Sequence, residues 1–500
     1  MPDPDLRTSS YVIYVDLPDD PAKMLLVHGY TGAYDVVNRK VASFLRGKER
    51  GRPPKPLYGA WVTEPELTGT DYQPSAETVR SLQRRGYLTD MTADEEEAYL
   101  ARLAGKLHDA AQQRLNWIFM PNYDCNLRCF YCFQDHMRTD PAYQHLLRRM
   151  TPAMVDRLFA GMHDIEARHG VSDPPRRSIG FFGGEPLLAE NRPIIEYIMQ
   201  RATEDAGASF WAVSNATDLH VYSDMLGPGG IASIQITLDG PSYEHDKRRI
   251  YADGSGSFSR IADNITLALD RGVHVQVRMN IDRVNIRMLP DLADEIIARG
   301  WHTRSSFLAY TYAIRPANEK TDKQTTFDLW QLDAAIEALR EEFPQLKVID
   351  RPDDRMRETA LRLLGQPTAE PALKAEFCGA HAGMYIFDAL GDIYACWERT
   401  GDTKLRIGHV NDDGTVELNA PVMTAWRSRS VAVVPACRKC RYALQCGGGC
   451  AVLAEAKRGK LHTNHCDAYA NRFRAMVAEA YLAHAAGETV GDSKDRVCDL

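Results

Sequence analysis

The stretch NWIFMPNYDCNLRCFYC, Asn116 to Cys132, decides how this chain is read. It opens with a short apolar run of the kind that forms a buried strand, and that run leads straight into a loop. The loop carries Cys125, Cys129 and Cys132, spaced C-x3-C-x2-C. Three thiolates on one short loop can hold three corners of a cubane iron–sulfur cluster. An electron carrier would add a fourth cysteine; here the fourth iron stays open for a ligand that is not protein. A zinc site, or three unrelated buried cysteines, would use the same residues.

Working outward, the chain alternates between two periodicities. "SIGFFGG", "SFWAVSN", "IASIQITLDG", "HVQVRMNID" and "SSFLAYTYAI" read as strands. "TPAMVDRLFAGMHDIEARHG", "RPIIEYIMQRA", "FSRIADNITLALDRG" and "LPDLADEIIARG" read as helices. In the first of these Thr151 caps, Pro152 opens and Gly170 ends the helix, with Met154, Val155, Leu158, Phe159 and Met162 as its buried stripe. Strand–helix repetition predicts a parallel sheet with helices outside, an α/β fold. Six such units over residues 113–315 predict a partial (β/α)6 barrel. The cysteine loop then lies at the C-terminal mouth of its strand, where barrels place chemistry.

Residues 1–112 read as a small α/β domain. Two strands, "YVIYVDL" and "KMLLVHG", precede a helix over "YDVVNRKVASFLRG" with Val36, Val37, Val41 and Leu45 at helical spacing. "ERGRPPKP" breaks the pattern, and a later helix starts at Thr92 with Glu95 completing a capping box. Residues 316–375 form a charged helical bridge, 376–470 a loop-rich cysteine segment, and 471–500 a closing helix and polar tail.

Composition narrows the function. The net charge is −8, from 60 basic and 68 acidic residues, and a nucleic-acid partner selects the opposite sign. The N-terminus lacks a basic-then-apolar signal, and no run approaches the roughly 18 apolar residues of a membrane span. The expected setting is cytoplasmic, with no nucleic acid and no membrane as partner. In that reducing compartment close-spaced cysteines bind metal more readily than they form disulfides. Of the eleven cysteines, none lies between Cys132 and Cys378, and all but Cys498 fall into two groups.

The first group and the motifs after it resemble the radical S-adenosylmethionine (SAM) superfamily. "CNLRCFYC" is similar to that family's cluster motif, Tyr131 included. "GGEP" (Gly183, Gly184, Glu185, Pro186) follows the second strand, where the family contacts the SAM amino group. "SNAT" follows the third and resembles the family's T-N-G-T, with Ser214 and Asn215 retained in type and Ala216 in place of glycine. "ITLDGP", with Thr237 and Asp239, follows the fourth strand, "HDKRR" comes soon after, and Asn280 lies on the fifth. The resemblance implies SAM bound by these residues on a [4Fe–4S] cluster held by Cys125, Cys129 and Cys132. One electron then splits SAM into a 5′-deoxyadenosyl radical that abstracts hydrogen from substrate.

The second group, Cys378, Cys396, Cys437, Cys440, Cys446, Cys450 and Cys466, resembles the SPASM extension of radical SAM enzymes. That resemblance implies two auxiliary [4Fe–4S] clusters, three in all. Cys437, Cys440, Cys446 and Cys466 would hold one completely. Cys378, Cys396 and Cys450 would hold the other with three ligands, unless His381, Cys498 or another group supplies a fourth. An open auxiliary iron would suit a substrate thiolate. A zinc ribbon is the alternative use of such cysteines.

SPASM enzymes mostly modify peptides and proteins. The resemblance is to maturases of ribosomally made peptides, which form thioether or carbon–carbon crosslinks or related modifications. Such a maturase would take a precursor peptide with a leader region and an electron donor such as flavodoxin or ferredoxin. Residues 1–112 are similar in pattern to a winged, leader-binding domain that adds the leader as an extra strand. The alternatives are a sulfatase-maturating, formylglycine-generating enzyme and, in other classes, a passive iron–sulfur electron carrier or a zinc-stapled scaffold. The sulfatase subclass usually carries an eighth cysteine, absent from "CGAHAGMYIFDALGD", and a carboxylate where this chain has Trp397. His136 and His245 lie near motifs and read as structural.

Overall fold

The computed structural model describes residues 6–50, 65–67, 71–171, 176–315, 323–366 and 369–489. Cys498, the polar tail and most of the "ERGRPPKP" break lie outside these residues. The chain divides into two compact units: residues 1–112, 353–382 and 427–500 form one, and residues 113–352 and 383–426 the other.

The second unit holds the expected parallel sheet. Strands Asn116–Met120, Arg177–Phe181, Ala208–Ser214, Ile231–Thr237, His274–Ile281 and Phe307–Ala313 lie side by side in chain order, every neighbour parallel. Helices Pro152–Arg168, Arg192–Asp205, Phe258–Asp270 and Leu289–Ala298 connect them. Thr151 caps the first of these helices by accepting from Met154 N, and Pro152 opens it. Its buried face is Val155, Leu158, Phe159, Met162 and Ile165, whereas Met154 stays half-buried. Arg177 ties the second strand to the same helix through paired bonds to Glu166, at 2.7 and 2.8 Å.

The sheet does not end at the first barrel strand. Met384–Asp388 pairs parallel with Asn116–Met120, and Asp392–Tyr394, Gly408–Val410 and Val416–Leu418 follow antiparallel, making ten strands. The loop-rich segment thus contributes four short strands that its sequence does not announce. Met384–Asp388 is buried at every position, so it shows no alternation, and the later strands have only three residues each. The junction is aromatic: Trp117 stacks on Phe387 and Tyr385, with centroids 5.8 and 5.4 Å apart.

The first unit is built on a three-stranded antiparallel sheet, Val12–Asp16, Lys23–His28 and Tyr34–Asn38, with Lys23–His28 central. Val36 and Val37 are strand residues, not helical ones. Two β-branched residues in succession favour extended backbone, and Asn38 then caps helix Arg39–Gly47 by accepting from Lys40 N. The sheet's first two strands are buried on both faces with a period of two. Val12, Tyr14, Met24 and Leu26 pack on Val41, Leu45, Val79 and Leu82. Ile13, Val15, Leu25 and Val27 pack on helices Asp354–Gly365 and Tyr469–Ala485. Helix Ala93–Gln112 begins with the expected box: Thr92 N donates to Glu95 and Glu95 N to Thr92 Oγ1. Among the described residues no helix is long and apolar enough to cross a membrane.

Candidate active site

The C-terminal ends of the parallel strands collect the motif residues of the second unit. The first strand ends at Met120 and delivers Cys125, Cys129 and Cys132 on the loop that follows; Cys129 is buried and the other two half-buried. Hydrogen-bond donors face two of these sulfurs. Leu127 N and Asn215 Nδ2 approach Cys125 Sγ at 3.4 and 3.6 Å, and Arg138 Nη2 approaches Cys132 Sγ at 3.4 Å. Burial pushes the Cys125 thiol up to about 11 and Cys129 to about 12, so bare thiolates are disfavoured. A cationic iron site repays that penalty, and sulfur-directed donors are what metal-bound thiolates accept. The donor set thus fits a cluster held by three cysteines.

The "GGEP" turn is fitted against this loop. Gly183 has φ +148°, and a Cβ there would lie 2.6 Å from Asn122 O; a Cβ on Gly184 would lie 2.1 Å from Asp124 O. Both clashes are with backbone, so only glycine fits. Glu185 N donates to Asp124 O at 2.7 Å, while its carboxylate accepts from Ser214 Oγ at 2.7 Å, Asn215 N at 2.5 Å and Leu187 N at 2.9 Å. Glu185 thus joins the second and third strand ends. Burial pushes its carboxyl up to about 7, against the pull of these three donors. The Pro186 carbonyl accepts from Asn191 Nδ2 at 3.0 Å. Asn215 also donates to Asn126 Oδ1 at 2.9 Å, tying the third strand end to the cysteine loop.

A second network gathers Tyr131, Asp239 and Asn280. The Tyr131 hydroxyl donates to the Asp239 carboxylate and accepts from Arg249 Nη1 at 2.8 Å and Asn280 Nδ2 at 3.2 Å. The other Asp239 oxygen accepts from Asn280 N at 3.0 Å. Thr237 is the last residue of the fourth strand. His245 Nδ1 accepts from Asp239 N at 3.2 Å, which leaves its proton on Nε2, 3.0 Å from Ser257 Oγ. Burial lowers its pKa well below the usual histidine value, so it is a neutral bracket.

Sequence reasoning missed three supporting residues here. Arg138 touches Cys132, Arg249 holds Tyr131 and acts by charge on Cys129, and Asn285 Nδ2 donates to the Asp239 and Asn280 carbonyls. "HDKRR" was the available signal for Arg249; Arg138 and Asn285 stand in no motif.

In the first unit Cys437, Cys440, Cys446 and Cys466 line one pocket, together with Gly448 and Asn464. Asn464 Nδ2 donates to Cys466 Sγ at 2.9 Å. Burial pushes all four thiols up, Cys440 to about 12, and neighbouring thiols add to the rise at Cys437, Cys440 and Cys446. The turn that shapes this pocket is "CGGGC". Gly447, Gly448 and Gly449 all have positive φ, and a Cβ on Gly449 would lie 1.9 Å from His465 O. Cys378 and Cys450 belong to the same unit, and burial raises Cys378 to about 11 with the Cys450 thiol adding to it. His381 Nε2 is engaged by Arg429 Nη1 at 3.3 Å. Cys396 belongs to the second unit; beside it Trp397 stacks on Phe182 at 5.2 Å and Glu398 pairs with Arg315. Among the described residues no three Cys, His, Asp or Glu side chains are grouped as ligands of a single metal ion.

Residues 120–296 match the sequence profile of the radical SAM superfamily. Those residues form a radical SAM domain and the chain is an enzyme; the domain implies a [4Fe–4S] cluster and SAM. It is similar to the cysteine-type anaerobic sulfatase-maturating enzyme of Clostridium novyi (strain NT), 24% identical over 65% of this chain and 85% of that protein. It is also similar to the mycofactocin maturase MftC of Mycobacterium tuberculosis (strain ATCC 25618 / H37Rv), 26% identical over 66% of this chain and 76% of that one. Among solved structures it shares its fold with native anSMEcpe with bound AdoMet and Kp18Cys peptide. The TM-score is 0.52 at 18% identity, over 75% of this chain and 99% of that one.

Proposed function

We propose that this enzyme is a SAM-dependent maturase of a ribosomally made precursor peptide, forming a thioether or carbon–carbon crosslink or a related modification. The observation that carries the proposal is the pairing of a three-thiol loop at the mouth of a radical SAM sheet with a second, four-thiol pocket. The similarity to two maturases, and to the fold of a third bound to a peptide, supports a peptide as substrate.

When bound, cluster and SAM supply a radical able to take a hydrogen atom from substrate. Cys125, Cys129 and Cys132 would hold that cluster. Glu185 fixes Ser214 and Asn215, and Asp239 fixes Tyr131 and Asn280, so that Gly183 to Pro186, Thr237 and these side chains would bind SAM at the strand ends. Cys437, Cys440, Cys446 and Cys466 would hold one auxiliary cluster, and Cys378, Cys396 and Cys450 the other, with an open iron for a substrate thiolate. A flavodoxin or ferredoxin in the cytoplasm would supply electrons. The leader would pair with an edge strand of the N-terminal sheet; Tyr34–Asn38 is such an edge, with Val36 exposed.

A formylglycine-generating activity is the second reading, favoured by the sulfatase-maturating relative. Against it, Trp397 stands where that subclass carries its carboxylate, and Glu398, one residue on, is held by Arg315.

The test is anaerobic reconstitution with iron and sulfide counts, then dithionite, SAM and assay of 5′-deoxyadenosine. The parent is expected to hold about twelve irons and cleave SAM, and the Cys125/Cys129/Cys132→Ala variant about eight without cleavage. Mass spectrometry of a co-expressed small peptide from a neighbouring reading frame then separates a crosslink (loss of two hydrogens, with linked fragments) from formylglycine. A zinc protein without cleavage would overturn the proposal.

A further inference from the structure

Arg429 is a buried cation without an acid. Its side chain is almost completely enclosed, and among the described residues it makes no ion pair. Its bonds go to carbonyls: Nε to Leu461 O at 2.8 Å, and Nη2 to Thr463 O at 2.8 Å and Gly448 O at 3.2 Å. The remaining nitrogen, Nη1, faces His381 Nε2. None of these partners is a carboxylate, and a buried charge is retained only when something of opposite sign repays its desolvation.

The partners of its guanidinium adjoin cysteines of both proposed auxiliary sets: Gly448 stands two residues before Cys450, and His381 N donates to the Cys378 carbonyl at 3.2 Å. The geometry at Gly448 agrees. The point where a Cβ would stand lies 3.6 Å from Cys437 Sγ and 3.9 Å from Arg429 Nη2, so guanidinium and thiol flank the same glycine. As neutral thiols these cysteines leave the cation uncompensated; as ligands of anionic clusters they supply the missing negative charge.

We propose that Arg429 is a shared counter-charge for the two auxiliary iron–sulfur sites, holding both at higher reduction potential than their thiolates alone would set. The inference rests on the auxiliary-cluster reading above. A fixed positive charge favours the more negative, reduced state of each site, and one cation serving two sites makes both respond to one substitution. The bonds to Gly448, Leu461 and Thr463 position the guanidinium.

The test uses the reconstituted Cys125/Cys129/Cys132→Ala protein, in which only the auxiliary sites remain, as the parent for Arg429→Gln and Arg429→Lys. Iron and sulfide are counted, and reduction is followed by EPR in a potentiometric titration. The expected result is about eight irons in all three proteins, with both midpoints lowered in the Gln variant by at least a tenfold change in the reduction constant, about 59 mV for one electron. The Lys variant should restore most of that shift. Iron lost in Gln but kept in Lys would also support a charge requirement. Unchanged midpoints in an iron-replete Gln variant, a shift in only one site, or equal loss of iron in Gln and Lys would overturn the inference. A parent without auxiliary iron would overturn the cluster reading itself, which is a distinct result.

Discussion

The Glu185 carboxylate accepts from the Ser214 hydroxyl and the Asn215 amide, 2.7 and 2.5 Å away, and so locks the second strand end to the third. It does so while almost fully buried, and burial lifts its pKa from 4.5 to about 7. A carboxyl whose folded pKa is raised stabilises the fold below its unfolded pKa and loses that contribution as pH rises through the folded value. The window is therefore pH 4.5 to 7, with a size of roughly 3 kcal/mol. Glu185→Gln cannot titrate. Its unfolding free energy should lack that decline, and denaturant unfolding of the two proteins at several pH values measures the difference. Parallel pH profiles would refute it.

Ala216 occupies a left-handed backbone conformation, φ +62°, at the position where the resembling motif carries glycine. The conformation is enforced locally: Ala216 N donates to Ser214 Oγ at 2.8 Å, and Asn264 Nδ2 donates to the Ala216 carbonyl at 2.7 Å. A Cβ there costs about 1–2 kcal/mol, and glycine returns part of that gain through its freer unfolded chain, about 0.4–1 kcal/mol. Ala216→Gly should therefore stabilise the protein by up to about 1 kcal/mol. A rise of a few degrees in Tm is the expected observation; a fall would show that the strain is absent.

These two positions also show what a sequence can carry. The six parallel strands were legible because each is an apolar run followed by glycine or polar motif residues. The grouping of Cys437, Cys440, Cys446 and Cys466 around one pocket was legible through the resemblance of their order to a known extension. Strand Met384–Asp388 was not, because burial at every position erases the alternation that marks a half-exposed strand. Val36 and Val37 fit a helical stripe as well as a strand, and only pairing with Leu25 and Met24 decides between them. The arginines were least legible. Arg248 and Arg249 are adjacent, yet Arg248 pairs with Glu244 and Asp282 while Arg249 turns to Tyr131. Nothing in "HDKRR" separates the two, since a long flexible side chain takes its role from what surrounds it.

Gly449 allows a sharper test of the four-thiol pocket. It has φ +74°, and the atom a Cβ would strike is a backbone carbonyl, that of His465, one residue before Cys466. Gly449→Ala must therefore move the segment that carries Cys466. The strain and displacement together should cost about 2–4 kcal/mol. The chemical readout is more specific than the stability: about four of about twelve irons should be lost, with SAM cleavage retained. A full iron count in the variant would mean that Cys466 is not a ligand.

A substitution at Tyr131 tests the proposed cluster loop and the proposed SAM contacts separately. Its ring belongs to the cysteine loop, but its hydroxyl is committed to Asp239, Arg249 and Asn280. Tyr131→Phe keeps the ring and removes that hub. Asp239 loses a donor, and Arg249 and Asn280 lose an acceptor inside a site almost closed to water. Leaving such groups unpaired costs about 1–3 kcal/mol. The three thiols do not depend on the hydroxyl, so the iron count should not change. Asn280 loses the contact that orients its amide, so the loss should appear in SAM affinity, about tenfold or more, since each 1.4 kcal/mol is tenfold. Calorimetric titration of SAM into reconstituted parent and variant measures it, with iron counted in the same samples. Unchanged affinity would remove Asn280 and Asp239 from the SAM site, whereas loss of iron would place the hydroxyl in support of the cluster instead.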